Sequence, residues 1–238
     1  MSTHTVHRPV RGLVATRVDV SRHWAWLAGG LALAFAVPFL FADVLELQRD
    51  LFYGLYALSV VGLFALWSRS TKYSLSFALR RRWPWAVGLG LGAGAVLAAM
   101  VVRTEDATAR PDGVELAGAV VWRGLVYGAT DGLFLSAFPI LVVFAAMAGT
   151  RLNRSLGGRV VIGVVALAAS LAMTAVYHLG YSEFRSDKVA KPVAGDVVWG
   201  MPTLLTLNPI GAPIAHASMH TSAVLHSYET ETFLPPHG

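Results

Sequence analysis

Cysteine is absent from the 238 residues, and only 14% of them are charged. The first absence removes disulfides, thiolate nucleophiles, thiolate zinc sites and Cys-ligated iron–sulfur clusters together. The second starves the chain of surface, because soluble domains carry about 25% charged residues. A soluble globular enzyme, a disordered tail and a nucleic-acid binder with a broad basic face are thereby excluded, so nucleic acid is not an expected partner. No internal repeat is visible, which argues against a transporter built from inverted halves. What the chain has is apolar length: 55% hydrophobic residues and a mean hydropathy of +0.56. The expected class is an all-α, polytopic transmembrane helix bundle, with the lipid bilayer as its first partner.

Crossing roughly 30 Å of hydrocarbon takes about 20 apolar residues at 1.5 Å each. Candidate spans run from Trp24 to Ala42, Leu51 to Trp67, Trp83 to Val102 and Val160 to His178. The stretch from Leu116 to Ala148 is too long for one upright helix and contains Arg123, Asp131 and Pro139, which predicts a tilted or broken helix. Val197 to Leu207 is too short to cross alone. Asn208-Pro209 then breaks the chain, and Ile210 to Tyr228 forms a polar last helix, so these two pieces predict a half-helix and a returning helix. The total is about six to eight membrane segments.

The net charge of +5 is unevenly placed. Arg8, Arg11, Arg17 and Arg22 precede the first span. Arg69, Lys72, Arg80, Arg81 and Arg82 follow the second, and Arg151, Arg154 and Arg159 follow the long stretch. Acids fill the other connections, among them Asp43, Asp50, Glu105, Glu115, Glu183 and Asp196. The positive-inside rule then predicts a multi-pass cell-membrane protein with a cytoplasmic N-terminus. The basic N-terminal region resembles a signal peptide, but no cleavage site follows Phe41, so an uncleaved first span is expected. Tyr73, Phe77 and Leu79 among basic residues suggest a short interfacial helix, and Gly88, Gly90, Gly92 and Gly94 mark a close helix contact.

An ionisable residue at bilayer depth needs a partner or a function. The candidates are Arg123, Asp131, His178, His216 and His220. On a regular helix Arg123, Tyr127 and Asp131 share one face, which permits a self-neutralising Arg123–Asp131 pair. His216 and His220, at i and i+4, project from one face about 6 Å apart, as two zinc ligands on a helix do. The same pair also reads as rings hydrogen-bonded across helices. With His178 and Asp131 they make a three-histidine, one-carboxylate set suited to zinc or another borderline divalent metal. Bis-histidine haem ligation by His178 and His216 would leave His220 and Asp131 surplus.

The order of these elements resembles the CPBP family of intramembrane proteases, which covers CAAX prenyl proteases and bacteriocin-processing proteins. Trp122-Arg123-Gly124-Leu125 resembles the end of that family's Glu-Glu-x-x-x-Arg motif. Ala175-Val176-Tyr177-His178 resembles its Phe-x-x-x-His motif, and His216-Ala217-Ser218-Met219-His220 its last motif. Gly118 and Ala119 stand at the paired glutamates, Thr174 at the phenylalanine and His220 at the asparagine, so Asp131 or Glu115 would have to supply the missing carboxylate. The resemblance implies a basic N-terminal segment (1–23), N-terminal transmembrane helices (24–114), a CPBP-like core (115–228) and a tail (229–238). It further implies a metal-dependent hydrolase acting on a membrane-protein or lipidated-peptide substrate. His178, His216, His220 and Asp131 would hold the metal. Asp131, Arg123 and His178 would serve catalysis, with Arg123 fixing the carboxylate. Loss of the glutamate pair keeps open an inactive relative that binds a protein or lipid, and a metal or proton carrier is a third reading.

Overall fold

The computed structural model describes residues 17–230 and 232–234. It is 83% helical, and there is no strand among the described residues. Residues 1–16 of the basic N-terminal segment, and Pro235, Pro236 and His237 of the tail, lie outside the described residues.

Eight helices follow one another. They are α1 (Arg17–Pro38), continued by a π-helical turn (Phe39–Val44), α2 (Arg49–Thr71), the short α3 (Leu75–Arg80) and α4 (Trp83–Thr104). Then come α5 (Gly113–Met147), α6 (Leu156–Leu179), α7 (Ala190–Thr206) and α8 (Gly211–His226). Five of these segments are long and apolar enough to cross a membrane. In α5, 83% of the most apolar stretch is buried, against 28–33% in the other four, so α5 is the central helix. The outer helices turn Leu58, Val61, Trp85 and Val164 outward at 58–73% exposure. In water this much exposed apolar surface would drive association, whereas in a bilayer it is the solvated face.

Local chemistry sets the ends. Ser155 accepts a hydrogen bond from the Gly158 N–H and so caps α6, and Ser74 caps α3 in the same way from Phe77. Between α7 and α8, Asn208 fastens the turn: its Nδ2 donates to the Leu79 and Arg81 carbonyls at 2.9 and 2.7 Å, and its Oδ1 accepts from the Ile210 N–H. That contact puts this turn at the same end of the bundle as α3 and its basic flanks. At the opposite end, Arg185 pairs with Asp43, and His226 meets the Glu105 carbonyl. The basic and acidic connections therefore occupy opposite ends.

Of the two alternatives for the long stretch, the broken one falls, and one span boundary needs correction. α5 runs unbroken through Pro139, with π-helical turns at Val120–Tyr127 and Gly132–Ala137. α7 does not begin at Val197. It starts at Ala190 and is 17 residues long, so it rises about 25 Å, most of the hydrocarbon thickness. The earlier start is possible because Asp196, expected at an interface, is wholly buried among hydroxyl groups.

Glycines clamp α8 between two helices. A Cβ on Gly90 or Gly94 of α4 would lie 2.8 Å from the Gly211 carbonyl oxygen or 2.6 Å from the Ser218 side chain. From α5, Cβ atoms on Gly124, Gly128 and Gly132 would come within 2.6–2.7 Å of Thr221, Ala217 and Ala212. Gly88 and Gly92 face open space. The buried end of the tail, Phe233 and Leu234, packs into the same apolar cluster as Leu97, Ala119 and Val224.

Candidate metal centre

The clamp places the first ten residues of α8 directly against the middle of α5. There Asp131, His216 and His220, all buried, bring one potential ligand atom each to within 4.8 Å of one another. His220 Nε2 lies 3.4 Å from Asp131 Oδ2. The two imidazoles are 4.8 Å apart between centroids, which is the one-face pairing that i,i+4 spacing dictates. The indole of Trp199, from α7, stacks on His216 at 4.4 Å, and the Tyr127 ring stands edge-on to His220 at 4.9 Å. These flat walls fix both rings without hydrogen-bonding to their nitrogens. Asp131 Oδ1, His216 Nδ1 and both nitrogens of His220 are buried with no hydrogen-bond partner.

Such orphaned atoms cost on the order of 1–3 kcal/mol each in a folded protein. Two imidazoles and one carboxylate form a donor set for a borderline divalent cation, and three protein ligands leave a position open, as in catalytic rather than structural sites. The residues present therefore fit a metal ion.

His178 does not join this group. It stands in the last turn of α6, and among the described residues the ligand atoms within 4.8 Å of one another are those of Asp131, His216 and His220 alone. Its Nδ1 donates to the Thr174 carbonyl at 2.8 Å, which leaves Nε2 as the lone-pair nitrogen, and its ring packs edge-on to Phe184. Arg123 does not pair with Asp131 either. Its Nε and Nη2 donate to the two Asp50 oxygens at 2.9 and 2.8 Å, and its guanidinium lies 5.0 Å from the Tyr228 ring centroid. Eight residues along α5 separate Arg123 from Asp131 by about 12 Å of rise, and Asp50 on α2 offers Arg123 both carboxylate oxygens at its own level. Glu115 is exposed and far along α5, which removes it as the substitute carboxylate.

Several residues of the site escaped sequence reasoning. A buried tyrosine chain leads away from the cluster: Tyr127 and Tyr177 hydroxyls are 3.0 Å apart, and those of Tyr177 and Tyr181 are 2.8 Å apart. Tyr53 stacks on Tyr127 at 3.7 Å. The available signal was the pairing of Tyr53 with Tyr56 and of Tyr177 with Tyr181 at helical spacing within apolar segments. Trp199 gave no signal beyond its apolar surroundings.

No family model, curated protein or solved structure matches this chain. Fold and site therefore define a class on their own terms: an all-helical membrane protein whose central helix and last helix bury an Asp–His–His group able to hold a metal ion.

Proposed function

We propose that this chain is an intramembrane metal-dependent hydrolase, a peptidase of the CPBP type. The observation that carries the reading is the incompletely bonded Asp131–His216–His220 group at the centre of the bundle. Zinc is the metal this donor set suits first. A divalent ion there supplies Lewis-acid polarisation of a carbonyl and makes water acidic near neutral pH. Asp131, His216 and His220 would hold it, with Trp199 and Tyr127 orienting the rings, and Asp131 Oδ1 would be the oxygen to take a proton. His178 supplies an acid–base nitrogen or a contact to the developing oxyanion from one side. An apolar cavity of about 320 Å³ lies between α2, α3, α5 and the α7–α8 turn. Its walls include Ala129, Leu133 and Pro213, on the same two helices as the cluster, and Phe64 of α2, which favours a membrane-protein or lipidated-peptide substrate. The charge distribution supports a cytoplasmic N-terminus in the cell membrane.

The test is metal analysis of the detergent-purified protein beside a His216→Ala/His220→Ala double variant, followed by cleavage of transmembrane peptides in liposomes. Near-stoichiometric zinc that vanishes in the variant, with cleavage lost alongside it, is the expected result. Iron in place of zinc would sink the hydrolase reading, because two histidines and one carboxylate also hold iron(II).

A second reading has its own observation. Gly118 faces open space and Ala119 sits in the apolar α4–α8 cluster, so nothing replaces the glutamate pair of the family motif. A relative that binds a partner without cleaving it would carry no metal and be unaffected by the double substitution.

A further inference from the structure

α7 carries a second buried carboxylate, which the metal reading does not use. Asp196 is wholly inaccessible. Ser136 Oγ of α5 lies 2.5 Å from its Oδ1, and Ser170 Oγ and Thr174 Oγ1 of α6 lie 2.7 and 3.1 Å from its Oδ2. Ser170 Oγ is also 3.1 Å from the Leu135 carbonyl oxygen. No Arg, Lys or His forms an ion pair with Asp196 among the described residues. The titratable groups facing this node belong to its neighbours: His178 beyond Thr174 on α6, His216 behind Trp199 on α8, and Asp131 five residues before Ser136 on α5.

Proton counting and the absence of a paired cation among the described residues favour a neutral carboxyl group. Four oxygen–oxygen contacts are at hydrogen-bond distance, and each requires one hydrogen. The three hydroxyls supply three. Ser170 has two acceptors within reach but only one hydrogen to give. A hydrogen on the carboxyl lets both Ser170 contacts be hydrogen bonds at once. With it, Asp196 Oδ2 donates to Ser170, Ser170 donates to Leu135, Thr174 donates to Oδ2 and Ser136 to Oδ1. Without it, lone pairs face each other and a full charge stands unpaired at bilayer depth, an expensive state.

We propose that Asp196 is a proton-binding site, loaded with one proton in the folded protein, and that release of this proton loosens α7 from α5 and α6. Its reach extends to the metal centre through Trp199, three residues on from Asp196, which stacks on His216, and to His178 through the Thr174 carbonyl.

Infrared spectroscopy of the full-length protein in liposomes tests this directly. The expected result is a protonated-carboxyl C=O band that shifts in D2O and disappears in Asp196→Asn, a variant that keeps a neutral, hydrogen-bonding side chain. A group neutral when folded and ionised when unfolded lends stability that is lost as pH rises. The wild-type melting temperature should therefore fall with rising pH by more than that of Asp196→Asn, the difference excluding the histidines and Asp131 common to both. Should the Asn variant fail to fold, Ser170→Ala serves instead: removing the acceptor of the carboxyl proton moves the band to higher frequency. Absence of the band, identical pH dependence in the two proteins, or sodium-dependent stabilisation lost in the variant would each overturn the proposal.

Discussion

Gly128→Ala is the most direct probe of how the fold makes the metal centre. An added Cβ would lie 2.7 Å from Ala217 Cα and 3.0 Å from His220 Cβ and Cδ2. Ala217 Cα is backbone, so no rotamer change relieves the clash and α8 must move away from α5. Overpacking of this kind costs about 1–3 kcal/mol. If that displacement falls on His220, metal affinity drops by about 5- to 150-fold, at 1.4 kcal/mol per tenfold. Alanine also gains up to about 1 kcal/mol over glycine in a helix. Gly92→Ala isolates that gain, because Gly92 faces open space. Competition with a chromophoric chelator measures affinity, and thermal unfolding measures stability. The expected outcome is a lower melting temperature and weaker metal binding for Gly128→Ala only. If both variants are stabilised alike and bind metal equally, the clamp is not what holds His220 in place.

Other substitutions separate the roles of the remaining polar groups. His178→Ala should keep its metal and lose peptide cleavage, whereas His216→Ala or His220→Ala should lose both; metal loss on substituting His178 would put it back in the ligand set. Arg123→Ala should lower stability by about 1–2 kcal/mol, between the values for exposed and buried pairs because the Asp50 side chain is 37% exposed. Its metal content should be unchanged, and depletion would restore the expected Arg123–Asp131 link. Tyr177→Phe removes the middle hydroxyl of the buried chain and leaves two partners short, costing about 1–3 kcal/mol by thermal unfolding; a neutral result would mean the Tyr127 and Tyr181 hydroxyls find other partners.

The membrane class was legible because composition is a bulk property that no local contact overrides. The pairing of His216 with His220 was legible because α8 is a regular helix, where spacing alone fixes the face. Asp131 joined them for a reason that spacing does not show: Gly124, Gly128 and Gly132 let α8 approach α5 with backbone nearly touching backbone. That glycine series stands in the sequence as openly as the one in α4, but it is embedded in a stretch whose length suggested a break. Arg123 was misassigned for the opposite reason. Sharing a face does not bring side chains two turns apart into contact, and the partner, Asp50, is 73 residues away. Asp196 was lost among the acids of the connections, since its burial depends on hydroxyls from two other helices that no local pattern announces.

The buried polar groups answer the cost of the bilayer in different ways. Arg123 sits toward one end of the bundle and is neutralised by a two-pronged pair with Asp50. Asp196 is surrounded by three hydroxyls that satisfy both of its oxygens. The tyrosine hydroxyls at positions 127, 177 and 181 bond one another. Asp131 Oδ1, His216 Nδ1 and both nitrogens of His220 are left without a hydrogen bond, a state they share with the Trp199 indole N–H and the Tyr53, Tyr56, Thr221 and Ser227 hydroxyls, but among the described residues only these three side chains cluster as potential ligands of one ion. His220 Nε2 and Asp131 Oδ2 stand 3.4 Å apart, longer than an ordinary hydrogen bond. Glycines bring the helices as near as backbones allow, and aromatic rings hold both imidazoles in place, yet the polar atoms stay apart at a spacing that suits a cation between them.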